Sequence, residues 1–75
     1  MLLPDNVHPE NTLMYNGALI VKALKISGEA TLLDLYLEAK KDSRMTMALF
    51  VLSLDWLFLV DCVTFNENGR VALCS

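Results

Sequence analysis

Positive charge is scarce in this 75-residue chain: six Lys and Arg against nine acids, for a net charge of −3. The cations are also scattered, as Lys22 and Lys25, Lys40 and Lys41, Arg44 and Arg70. Binding to phosphate backbones rests on clustered cations, so a nucleic-acid footprint is excluded as the first expectation. Histidine occurs once, at His8, in the loop-like "NVHPEN". The two cysteines, Cys62 and Cys74, have no second pair and no neighbouring histidine, which leaves no zinc site. They read as thiols of a reducing compartment. The acids Asp34, Asp55, Asp61 and Glu67 fall on different elements, and no nucleophile–base pair is visible. The chain therefore reads as no enzyme, with no catalytic residue, metal or cofactor. It has no Gly-rich phosphate loop, internal repeat or low-complexity tract.

Long hydrophobic runs are also missing. The longest weakly charged one, Met45 to Val60, contains Thr46, Ser53 and Asp55 and is shorter than the ~20 residues of a membrane span. The opening "MLLPDNVHPE" lacks the basic and apolar regions of a signal peptide. The expectation is a cytoplasmic protein with no membrane contact.

What is abundant is apolar residue, 55% of the chain, above the usual ~45–50%. A domain of this length buries only roughly 60% of its unfolded surface. An apolar excess in so small a body points to surface that a partner covers. The excess peaks in "MALFVLSLDWLFLV", Met47 to Val60, whose one charge is Asp55. A surface helix should be apolar on one stripe; this one is apolar nearly all round.

The periodicity predicts a single domain over residues 1–75, of α+β class. "MLLP" reads as a short N-terminal strand, since Pro4 biases Leu3 toward extended geometry. Helix one runs from Leu13 to Lys25, capped by Thr12 or Asn11, with Leu13, Gly17, Ile20 and Leu24 as its core stripe and Met14, Ala18 and Val21 as a second apolar stripe. Gly17 beside Ala18 would admit another backbone. After the break at Gly28, helix two spans Thr31 to about Lys41, with Leu32, Leu35, Tyr36 and Ala39 inward. Helix three follows from Arg44 to about Leu57, capped by Ser43. "FLVDCVTF" then reads as a strand from Phe58 to Phe65, and "RVALC" as its return. A two-residue loop at Asn68-Gly69 pairs Thr64 with Leu73; a three-residue loop sets Cys62 opposite Cys74.

Strand, three helices and a β-hairpin wing form the order of a winged helix-turn-helix. That fold suggests a small DNA-binding transcription regulator. Yet the reading helix would present Met45, Thr46, Met47, Ala48, Leu49 and Phe50, which offer almost no donors to bases. Apolar patches with Met, Phe and Trp are what protein interfaces are made of. Leu57 and Leu59 are assigned inward, Phe50 could serve either face, and Met47, Trp56 and Phe58 are the candidates for partner contact. Leu2 and Leu3 join them through the N-terminal strand.

"MLLPDNVHPENTLMYNGALIVKAL", "TLLDLYLE" and "FVLSLDWLFLVDCVTFNENGRVAL" together resemble the bacterial middle component 6 family of ABC-three-component systems over nearly the whole chain. The opening Met-Leu-Leu-Pro, the Gly17-Ala18 pair and the Leu54–Val60 junction into the wing carry the resemblance. It implies an adaptor between an SMC-like ABC ATPase subunit and an effector subunit, expected to be a nuclease, in Lamassu-type anti-phage and anti-plasmid defence. Nucleotide and DNA chemistry would belong to those partners, and the family brings no catalytic residues.

Overall fold

The computed structural model describes residues 12–41 and 43–74. The expected N-terminal strand, and with it Leu2 and Leu3, lies outside them. Among the described residues six elements follow in order: α1 (Leu13–Ser27), β1 (Glu29–Ala30), α2 (Leu32–Lys40), α3 (Met47–Leu59), β2 (Val63–Phe65) and β3 (Val71–Leu73). The fold is α+β, as expected, with three helices and one antiparallel sheet of order β1-β3-β2. No helix among the described residues is long and apolar enough to cross a membrane.

Each helix begins on a threonine in extended backbone whose hydroxyl accepts an otherwise unpaired N–H: Thr12 from Tyr15, Thr31 from Asp34 and Thr46 from Leu49. The third cap corrects the expectation of Ser43. The Ser43 hydroxyl instead accepts from the Met45 N–H at 3.2 Å. Met45 is buried in the core and the Tyr36 hydroxyl donates to its carbonyl at 3.2 Å, so this segment is held before the helix starts. α1 ends at Gly28, whose φ of +83° only glycine adopts freely and whose N–H bonds the Leu24 carbonyl at 2.7 Å.

The buried stripe of α1 runs through Asn16, Gly17, Ile20, Ala23 and Leu24, which displaces Leu13 from the core. Asn16 takes the inward place because its amide donates to the Thr12 carbonyl at 2.8 Å, which offsets the burial of a polar group. Leu35 and Ala39 of α2 are buried, while Leu32 is exposed. Ile20, Leu24, Leu35, Phe50, Leu54, Leu57, Val63 and Val71 close the core, with α1 packed between α2 and α3.

α3 continues two residues beyond expectation, so Phe58 and Leu59 are helical and the strand begins only at Val63. Its stop is a left-handed Asp61, φ 60°. The Asp61 N–H bonds the Phe58 carbonyl at 3.1 Å and the Cys62 N–H reaches Leu57 at 2.8 Å, a Schellman closure without the usual glycine. Leu59 was expected inward; it is 82% exposed. Nine residues beyond the buried Phe50, it sits about 180° around the helix. Leu57 is buried as expected.

β2 and β3 pair Val63 with Leu73, Thr64 with Ala72 and Phe65 with Val71. This is the three-residue-loop register: the Asn66 N–H bonds Arg70 at 2.8 Å, and the Cys74 N–H bonds the Cys62 carbonyl at 2.9 Å. Both cysteines are exposed free thiols. The Asn66 side chain decides the loop, its carbonyl accepting from the Asn68 and Arg70 N–H groups at 2.9 and 3.0 Å. Its amide also donates to the Glu29 carboxylate, tying the hairpin to β1. β1 pairs with β3 through Glu29–Ala72 and Ala30–Val71.

Candidate protein-binding surface

α3 buries Phe50, Ser53, Leu54 and Leu57 and has two apolar flanks that the other described residues leave uncovered. The first flank walls an open groove of about 720 Å3. Leu32 and Leu33 at the start of α2 form one side, Met47, Val51 and Leu59 of α3 another, and Phe65 of β2 the end. Phe50 and Leu54 are its floor. Among the described residues Asp55 is the one charge that lines it. Phe58 stacks on Phe65 with ring centroids 5.1 Å apart, which fixes the corner where helix meets sheet.

The candidate contacts Met47, Phe50 and Phe58 therefore converge here, at different depths. Met47 is half exposed and Phe58 half-buried. Phe50 is 2% exposed and packs edge-to-face on Tyr36 at 5.2 Å, so the structure gives this ambiguous residue to the core. Sequence reasoning missed Leu33, Val51 and Leu59, all exposed on the groove walls. The signal for Leu59 was available: it continues the Met47–Val51–Asp55 face at helical spacing.

Trp56 is not part of this groove. It lies five residues from Val51, about 140° around α3, and is half-buried against α1. A Cβ on Gly17 would stand 3.0 Å from its ring, so Gly17 is the seat of Trp56 and not the approach path of a foreign backbone. Around that seat lies a second, smaller groove of about 500 Å3, lined by Met14, Ala18, Val21, Lys22, Lys25 and the tryptophan among others.

These surfaces suit docking. Among the described residues no three His, Cys, Asp or Glu side chains gather as a metal site. Exposed apolar area in contiguous patches is the mark of an interaction surface. Covering each half-exposed Leu, Met or Val would return about 1 kcal/mol. A family model described as "ABC-three component (ABC-3C) system Middle Component 6" matches residues 3–74. No curated protein and no solved structure matches the chain. With nearly its whole length matched, the chain belongs to the middle component 6 family of ABC-three component systems.

Proposed function

We propose that this chain is a non-catalytic cytoplasmic adaptor: a winged-helix scaffold that holds protein where relatives of that fold hold DNA. In this reading it bridges an SMC-like ABC ATPase and an effector, a nuclease, in a bacterial anti-phage or anti-plasmid complex of Lamassu type. One observation carries the reading. The helix that would enter the major groove, α3, presents Met47, Val51 and Leu59 on an exposed apolar wall and has no Lys or Arg. Such a face offers no cation to a polyanion's phosphates, and it gains free energy when an apolar partner surface covers it. The element order supports the scaffold: α2 and α3 are joined by a short connection, and the β2–β3 hairpin follows, with β1 completing the sheet.

The test is co-expression with the ATPase and effector encoded beside it, read by size exclusion. The adaptor reading expects a shared peak and a protein that behaves poorly alone. A monodisperse monomer indifferent to both neighbours overturns it. A gel shift at ~50 mM salt, where electrostatic binding is strongest, separates it from a DNA-binding regulator, which would retard genomic fragments there.

A further inference from the structure

We infer that the second groove, between α1 and Trp56, is a separate docking site for a helix whose apolar stripe is edged by Asp or Glu. The inference rests on the adaptor reading and adds to it: a bridge needs two contact surfaces, and this is the second.

Charge chooses the occupant. Lys22 and Lys25 both line this groove, and among the described residues no carboxylate does. They are three residues apart, hence neighbours along one edge of α1. Among the described residues no ion pair engages either of them. In a chain of net charge −3, two exposed lysines beside an apolar trough form a local field of the opposite sign. The main groove differs, with Asp55 as its one charge among the described residues. The two faces of α3 therefore select different partners.

Shape chooses a helix. The trough runs along α1 from Met14 to Lys25, eleven steps at 1.5 Å, or about 16 Å. Three turns of a docked helix fill it. Both flanking elements, α1 and α3, have their backbone groups bonded within the helices, so an extended segment would find no edge to pair with. A helix satisfies its own backbone and brings only side chains: apolar ones onto Met14, Ala18, Val21 and Trp56, acidic ones toward the two lysines.

A second copy is the rival occupant, because α2 carries exposed Leu33 and Leu37 beside Asp34 and Glu38. That contact would join two different patches, so copies would add head to tail, as a ring or a filament, and would not pair as a symmetric dimer. Glu38 is also already paired with Lys41 at 2.8 Å.

The experiment uses the full chain co-purified with its ATPase and effector neighbours. The variant is Lys22→Glu with Lys25→Glu; Lys22→Gln with Lys25→Gln is the milder control. Both lysines are exposed, and circular dichroism should report an unchanged fold. The expected result is about a tenfold loss or more of one component by the Glu variant with the other kept, and a smaller loss by the Gln variant. Retention of that component by the wild type should fall as salt rises from ~0.1 to ~0.5 M. Carbodiimide should couple Lys22 or Lys25 to an Asp or Glu of the same component. Retention of both components by the Glu variant overturns the inference while the adaptor reading stands. Coupling to Asp34 or Glu38 of a second copy overturns it in favour of self-association. A wild type that retains neither component overturns the adaptor reading and this inference together.

Discussion

Gly17 supports a prediction in which two effects of similar size compete. Alanine at this mid-helix position gains about 1 kcal/mol of helix propensity. Its Cβ would lie 3.0 Å from Cζ3 and 3.3 Å from Cε3 of Trp56, and 3.5 Å from a Leu57 methyl. Carbon contacts are comfortable at ~3.5–4.0 Å, so the indole must retreat by about 0.5 Å. Trp56 is only half-buried and can pivot outward, at about 0.5–1.5 kcal/mol of rotamer strain. Gly17→Ala should therefore sit within about 0.5 kcal/mol of the wild type, a melting shift of roughly 3 °C in a domain this small. Gly17→Leu has no such balance: its branch fills the seat of the ring, for a loss of about 1–3 kcal/mol. Trp56 is the one tryptophan, so its emission reads the seat directly. The leucine variant should shift emission to the red and raise quenching by acrylamide. Unchanged emission and melting in Gly17→Leu would refute the contact; a loss above ~2 kcal/mol in Gly17→Ala would show that the ring is wedged and cannot pivot.

Three further outcomes follow from single residues. Phe50→Ala should cost about 3–5 kcal/mol in urea denaturation, because a nearly fully buried ring leaves a cavity beside Tyr36. Ser53 is fully buried and its hydroxyl finds no partner among the described residues, so Ser53→Ala should be neutral or stabilising by up to ~1 kcal/mol in the same assay. Asp61 holds φ 60° at the end of α3, where glycine carries no Cβ penalty; Asp61→Gly should raise stability by about 0.5–1 kcal/mol in thermal melts.

Local chemistry made most of the fold legible before the structure. Thr12 and Thr31 were readable as caps and Gly28 as a stop, because each acts within a few residues of itself. The apolar spacing likewise placed Ile20, Leu24, Leu35 and Leu57 inward. The misreadings arose where a nonlocal contact or an unusual residue type decided. Asp61 ends α3 in a conformation glycine usually supplies, so the sequence carries no glycine stop signal there and the β-branched, aromatic pattern from Phe58 reads as strand. Asn66 reaches Glu29 across the sheet, and that tie with its two turn bonds holds the three-residue loop over the Asn68-Gly69 alternative. β1 has two residues and no pattern of its own. The candidate surface was half legible: an apolar α3 announced a second face, but only packing could divide it, setting Met47 and Phe58 on one flank and Trp56 on the other.

The central claim, that the apolar outer flank of α3 is covered by a partner, is tested most directly at Val51. It is about half exposed on the wall of the main groove, so a charge there can keep its water in the free domain and would lose it in a complex. Val51→Glu should melt within ~1 kcal/mol of the wild type, since an exposed site away from the core rarely costs more. In co-purification with the proposed ATPase and effector partners it should lose one component by about 30-fold or more, the effect of an unpaired charge forced into an apolar interface. A folded Val51→Glu protein that retains both components at wild-type levels would contradict the account, and the second face of α3 would have to be explained without a partner.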